Sequence, residues 1–162
     1  MGATTLVRKT ELRGLSEQHH YGLVESRELR LASEGTPEAI EQAISAFLAT
    51  WKVEIEPHFR SEETVLLPEY GEGGGDWELI RRTFEEHTRI RGLVRRLEQG
   101  VGPTDPTLLT DLATLLHDHI RFEERTLFPS AESVLGLEAW HRMHRELPQQ
   151  PLSGSCSLKS TE

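Results

Sequence analysis

The sequence predicts an all-α chain folded as an up-down-up-down four-helix bundle with a short fifth helix at its C-terminal end. Three observations lead there. Apolar residues recur at helical spacing over long stretches, while strand alternation is nearly absent. Gly- and Pro-rich breaks near residues 35, 70–75 and 100–107 leave four long segments joined by short connections, the pattern of antiparallel neighbours in a bundle. One eleven-residue pattern is also written twice, HFRSEETVLLP at 58–68 and HIRFEERTLFP at 119–129. It falls on the second and fourth segments in the same phase.

The first helix is expected to begin between Thr10 and Leu15 and to end before Gly35, with Leu12, Leu15, His19, Gly22, Leu23, Ser26 and Leu29 on one face. Thr36 caps the second, with Pro37 at its first position and Glu38 in its first turn. It runs to about Leu67, where Pro68 stops it. Pro57 inside it predicts a kink just before His58. Residues 70–75, YGEGGG, form a turn. Asp76 caps the third helix, which ends at Gly100. After a Gly/Pro turn over 101–107, the fourth runs from about Pro106 to Phe128 and ends at Pro129. The fifth covers 137–147. The bundle domain is therefore 10–147, and 148–162, rich in Pro, Gln, Ser and Gly, is expected to be a disordered tail.

Composition excludes several classes. A net charge of -9 argues against nucleic acid, whose phosphates need a basic face. A single cysteine, Cys156, rules out an internal disulfide and a cysteine-rich zinc site. No apolar run reaches membrane-spanning length, so no membrane partner is expected. The N-terminus lacks the apolar centre of a signal peptide, and a cytoplasmic location is the expectation.

The repeated pattern carries the chemistry. Each copy contains H-x-x-x-E, pairing His58 with Glu62 and His119 with Glu123 one helical turn apart on one face. Imidazole and carboxylate so placed are two adjacent ligands for a transition metal. Each copy also has a histidine on the preceding helix: His19 or His20 for the first, His87 for the second. In an up-down bundle all four fall in one layer, about 13–17 Å from one pole at about 1.5 Å per residue. Two carboxylates in a bundle core without cations would be strongly penalised. If Glu62 and Glu123 each bridge two ions, one ion takes His19 and His58 and the other His87 and His119. A bridging oxide or hydroxide then makes five ligands and leaves a position open. This donor set suits two iron ions, with manganese or zinc ranked behind.

His19 continues the inward face of its helix and His20 is rotated about 100° away, so His19 is preferred, with His20 the alternative. His117 faces elsewhere, and His141 and His144 are expected at the surface. Glu63 and Glu124 stand one position off the ligand face and are read as solvated charge. Glu17-x-x-His20 and Glu138-x-x-His141 are read as chance matches to a di-iron motif.

His19-His20, His58-x-x-x-Glu62 with Leu-Leu-Pro68, Glu86-His87 and His119-x-x-x-Glu123 with Leu-Phe-Pro129 resemble the bacterial hemerythrin-like proteins, the HHE cation-binding domain, over about residues 12–145. The resemblance implies a non-haem di-iron site in which His19, His58, His87 and His119 are terminal ligands and Glu62 and Glu123 bridge. Oxygen-carrying hemerythrins have a further histidine four residues after the third-helix ligand, where this chain has Arg91. Their fourth-helix pair is H-x-x-x-x-D rather than H-x-x-x-E. The missing histidine would open or rewater one iron, which weakens reversible dioxygen carriage. The expected function is binding of dioxygen, nitric oxide or a similar small ligand as sensor, buffer or scavenger. The alternative is a di-iron enzyme that turns over peroxide or reduces nitric oxide, with Tyr21 or His20 as proton donor. No feature of the sequence identifies a protein partner.

Overall fold

The structure, a computed structural model, describes residues 9–148. Those residues form five helices and no strand. Helix α1 (Thr10–Ala32) is followed by α2 (37–72), α3 (Trp77–Glu98), α4 (107–134) and α5 (Leu137–Glu146). A 3-10 turn, Gly102–Thr104, lies between α3 and α4. The first four helices pack as a ring, α1 on α2 and α4, and α3 on α2 and α4. The expected tail lies outside the described residues apart from Pro148, as does Cys156. Among the described residues no helix is long and apolar enough to cross a membrane.

The expected caps form. Thr36 Oγ1 accepts the Ala39 N–H at 3.3 Å, and Asp76 accepts the Glu78 N–H at 2.8 Å. Each satisfies an amide that the first turn would otherwise leave unpaired.

The helices do not stop at their prolines. α2 continues past Pro68 to Glu72, and α4 past Pro129 to Val134. Proline lacks the N–H for the bond to residue i−4, and its ring presses on that carbonyl. Here each interior proline follows a wider π-turn: Trp51–Ile55 before Pro57, Glu62–Leu66 before Pro68, and Glu123–Leu127 before Pro129. In these turns Glu56, Leu67 and Phe128 donate their N–H groups to the carbonyls of Trp51, Glu62 and Glu123, five residues back. The extra residue per turn moves the obstructing carbonyl aside, so the rod continues where a stop was expected.

The apolar interior is divided. One core holds Leu12, Leu15, Leu66, Leu67, Tyr70, Phe128 and Ala131, closed over by Trp140 and Met143 of α5. The other holds Leu29, Phe47, Phe59, Ile90, Leu109, Leu112 and Leu116. Between them along every long helix lies the polar layer: His19 on α1, His58 and Glu62 on α2, His87 on α3, His119 and Glu123 on α4. The continuations of α2 and α4 build the first core and seal the layer from that side. The two continuations are also tied together. Tyr70, fully buried, receives the Asp76 N–H at 2.9 Å on a hydroxyl that lies 2.6 Å from Ser130 Oγ.

Gly75 makes that tie possible, because a Cβ there would lie 2.5–2.6 Å from the Tyr70 ring. Gly75→Ala is expected to lower stability by about 1–3 kcal/mol through overpacking, measured by urea unfolding. An unchanged midpoint would show that the ring can yield.

Candidate metal centre

The six residues converge in two groups that share both glutamates: His19, His58, Glu62 and Glu123, and Glu62, His87, His119 and Glu123. Within each group one donor atom per residue lies within 4.8 Å of the others. All six side chains are buried, His19 and His58 at 4 % exposure and the other four at 0 %. His19 Nε2 faces His58 Nε2 at 3.1 Å, and His87 Nε2 faces His119 Nε2 at 3.0 Å. Glu123 lies between the two pairs, Oε2 3.0 Å from His19 Nε2 and Oε1 2.9 Å from His119 Nε2. Glu62 lies opposite, Oε1 3.3 Å from His58 Nε2 and Oε2 3.4 Å from His87 Nε2.

The outward ring nitrogens set the chemistry of the inward ones. His19 Nδ1 lies 2.6 Å from Glu124 Oε1, His87 Nδ1 2.7 Å from Glu63 Oε1, and His119 Nδ1 2.8 Å from Glu86 Oε2. His58 Nδ1 lies 3.0 Å from Gln18 Oε1. Ionised carboxylates and an amide oxygen only accept, so each Nδ1 carries a proton, and a ring that holds no second proton turns an Nε2 lone pair inward. The four carboxylate oxygens of Glu62 and Glu123 are buried and receive no aligned hydrogen bond from the described residues. Four Nε2 atoms and four carboxylate oxygens therefore face one another at 2.9–3.4 Å. Buried carboxylates and lone pairs in this arrangement require positive charge. A metal cation would supply it, and outward carboxylates that orient imidazoles are the usual companions of metal-ligating histidine.

Protons are the alternative source of positive charge. Burial opposes a charged His19, but Glu123 and Glu124 outweigh it and raise its pKa to about 10. Burial is overcome in the same way at His87, raised well above its ordinary value by Glu123, Glu62 and Glu63, and at His119, raised by Glu123 and Glu86. Against its own burial, Glu123 is held well below the ordinary carboxylate range by His119, His19 and His87. Glu62 is lowered against burial and the Glu123 charge by His58 and His87.

His20 and Tyr21 are exposed on the outer side of α1, and His141 and His144 lie at the surface. His117 is half-exposed beside Asp118. Two sequence expectations need correction: Glu63 and Glu124 are not free solvated charges but the acceptors for His87 and His19. They reach inward because each follows the first residue of a π-turn, where successive side chains diverge by less than in an α-helix. Arg91 does not enter the layer. It clamps Glu63 with Nη1 and Nη2 at 2.7 and 3.1 Å, and its Nε lies 2.9 Å from Glu56. Gln18 and Glu86 gave only the signal of standing next to a histidine.

The pKa shifts imply a pH dependence. Histidines raised above 6.5 stabilise the cation-free fold fully below that pH, and the contribution is lost as pH rises through the folded values, about 10 for His19. Carboxylates lowered from 4.5 stabilise it above that value and lose the contribution on acidification. A cation must displace the ring protons, so its hold strengthens with pH. The difference in Tm between cation-loaded and cation-free protein is expected to widen between about pH 6 and pH 9. Equal differences at both ends would show that these rings do not exchange protons for a cation.

The profile of the hemerythrin HHE cation binding domain matches residues 10–131. No curated protein and no solved structure matches the chain. The matched span covers the four long helices up to Ala131 and all six residues of the buried layer, and over it the chain belongs to the hemerythrin HHE cation-binding domain family.

Proposed function

We propose that the chain holds two iron ions and binds a small ligand such as dioxygen or nitric oxide beside them, as a sensor, buffer or scavenger. His19 and His58 would hold one ion, His87 and His119 the other, with Glu62 and Glu123 shared. The observation that carries this reading is the set of eight inward nitrogen and oxygen atoms next to a small, mostly apolar cavity. Imidazole with carboxylate suits iron, and iron held there supplies affinity for diatomic ligands and one-electron chemistry.

A cavity of about 10 Å³ lies beside His19 and His58, at the lower limit for holding one water-sized molecule. Gly22, Ile55, Phe59, Leu116 and Ile120 make its wall apolar. The other pair is closed in: the Phe59 ring stacks on His87 at 3.8 Å between centroids and meets His119 edge-on at 5.3 Å. Arg91, where an oxygen carrier would have a fifth histidine, is protonated and held by Glu56 and Glu63, so it offers no lone pair. This favours reaction or capture at the His19/His58 side over long-lived oxygen carriage.

Turnover of peroxide or reduction of nitric oxide would need a proton donor at the cavity. Tyr21 and His20 face away from it, and Gln18 is the one polar residue on its wall besides the two histidines. That supports binding over catalysis.

Elemental analysis of protein produced with adequate iron is expected to approach two equivalents per chain. Glu62→Ala and Glu123→Ala should each deplete both ions, while His20→Ala should retain them. One reproducible equivalent of zinc would sink the binuclear reading.

Gly22→Ala should leave the ion content intact and weaken nitric oxide binding by about 10–100-fold. Its Cβ would come within 2.6 Å of Ile120 Cδ1 and crowd the cavity that both residues line, an overpacking of about 1–3 kcal/mol. Unchanged nitric oxide affinity would place the ligand elsewhere.

A further inference from the structure

The four histidines are alike in their inward contacts and unlike in their outward ones. Three donate their Nδ1 proton to a carboxylate: His19 to Glu124, His87 to Glu63 and His119 to Glu86. His58 alone donates to a neutral amide, Gln18 Oε1, across 3.0 Å, longer than the 2.6–2.8 Å of the other three. A hydrogen bond to a charged acceptor is stronger than one to a neutral acceptor. It draws the proton outward and leaves more electron density on Nε2, making the imidazole a better donor.

We propose that Gln18 makes the two cation positions of this chain unequal, with the His19/His58 position the weaker and more exchangeable of the two. Gln18 acts as a positioning residue: it fixes the His58 ring and tautomer as a carboxylate would, but without the charge that strengthens the donor. This rests on the binuclear reading above and adds an order of filling and loss.

Arg91 pairs with Glu63 and Arg82 with Glu86, so both carboxylates behind the His87/His119 pair carry a guanidinium on their outer side. These cations work against the proposal by making the tight side less negative. They act from farther out, on side chains 32 % and 50 % exposed, where water and salt screen them. The amide of Gln18 acts directly on the ring of one ligand. On the His19 side, Glu124 also receives the Ser16 hydroxyl, which holds that carboxylate in place. His58 is thus the outlier of the set.

The test is a titration of the metal-free full-length chain with cobalt(II) under competition from a chelator, read by the cobalt absorption bands. Two steps separated by about 10–100-fold are expected, the scale on which outward partners alter metal affinity. Gln18→Glu should tighten the weaker step and narrow the gap. Gln18→Ala should weaken that step about tenfold further. Glu63→Gln should weaken the tighter step instead. Circular dichroism of each variant reports the fold, so the Ala and Gln variants carry the test if Gln18→Glu does not fold. Two steps of equal affinity, or a gap that Gln18→Glu and Gln18→Ala leave unchanged, would overturn the proposal while leaving two bound ions. Fewer than two cobalt ions in the unmodified chain would instead overturn the binuclear reading beneath it.

Discussion

Two fully buried glutamates facing four imidazole Nε2 atoms are the constraint around which this molecule is organised. A carboxylate in an apolar interior carries a large desolvation penalty, and breaking its compensation is costly. Every long helix contributes to that compensation. Each supplies at least one side chain to the layer, so the four helices share one electrostatic problem and one solution. The separation of the apolar interior into two cores follows from it, because the layer crosses the whole bundle.

The repeated H-x-x-x-E-x-x-x-x-x-P pattern is a mechanical unit as well as a ligand pair. Its histidine and first glutamate point inward one turn apart. The second glutamate starts outward and is turned back by the wide turn. The proline two residues after that turn makes an ordinary α-helical continuation unfavourable, since it lacks the N–H and crowds the preceding carbonyl. Proline, wide turn and second glutamate therefore belong together: the backbone device that accommodates the ring also aims the carboxylate that orients a histidine on a neighbouring helix. The continuation beyond the proline then supplies the residues that seal the layer.

Outside the layer acidic and basic groups alternate. Inward carboxylates are followed outward by imidazoles, then by Glu63, Glu86 and Glu124, then on one side by Arg82 and Arg91. The arginine at 91 is one of the two departures of this sequence from the oxygen-carrier pattern. Its role in the structure is to close this sequence of charges: it holds Glu63, which lies well below its ordinary carboxylate range at about 2 through His87 and Arg91 despite its burial. The residue that removes a possible fifth imidazole thereby fixes one of the remaining four.

Helical periodicity, glycine–proline breaks and the duplicated motif determined the fold class, the helix count and the six residues that meet in one layer. These are local signals. Side-chain phase on a helix is set by its 3.6-residue repeat, and short connections leave antiparallel packing as the simplest way to bury the marked faces. The preference for His19 over His20 rested on the same phase, and the structure buries the one and exposes the other. Tertiary structure alone decided the rest. Helices expected to end at Pro68 and Pro129 run on because a wide turn relieves the ring, and what lies beyond repays it in buried contacts such as Tyr70 and Ala131. The roles of Glu63, Glu124, Glu86 and Gln18 were hidden because each depends on which histidine of another helix comes within hydrogen-bond reach. A one-dimensional pattern fixes the face of a helix that a residue occupies. It does not fix the partner across the groove, which depends on helix rotation and axial offset, quantities set only when all four helices pack together.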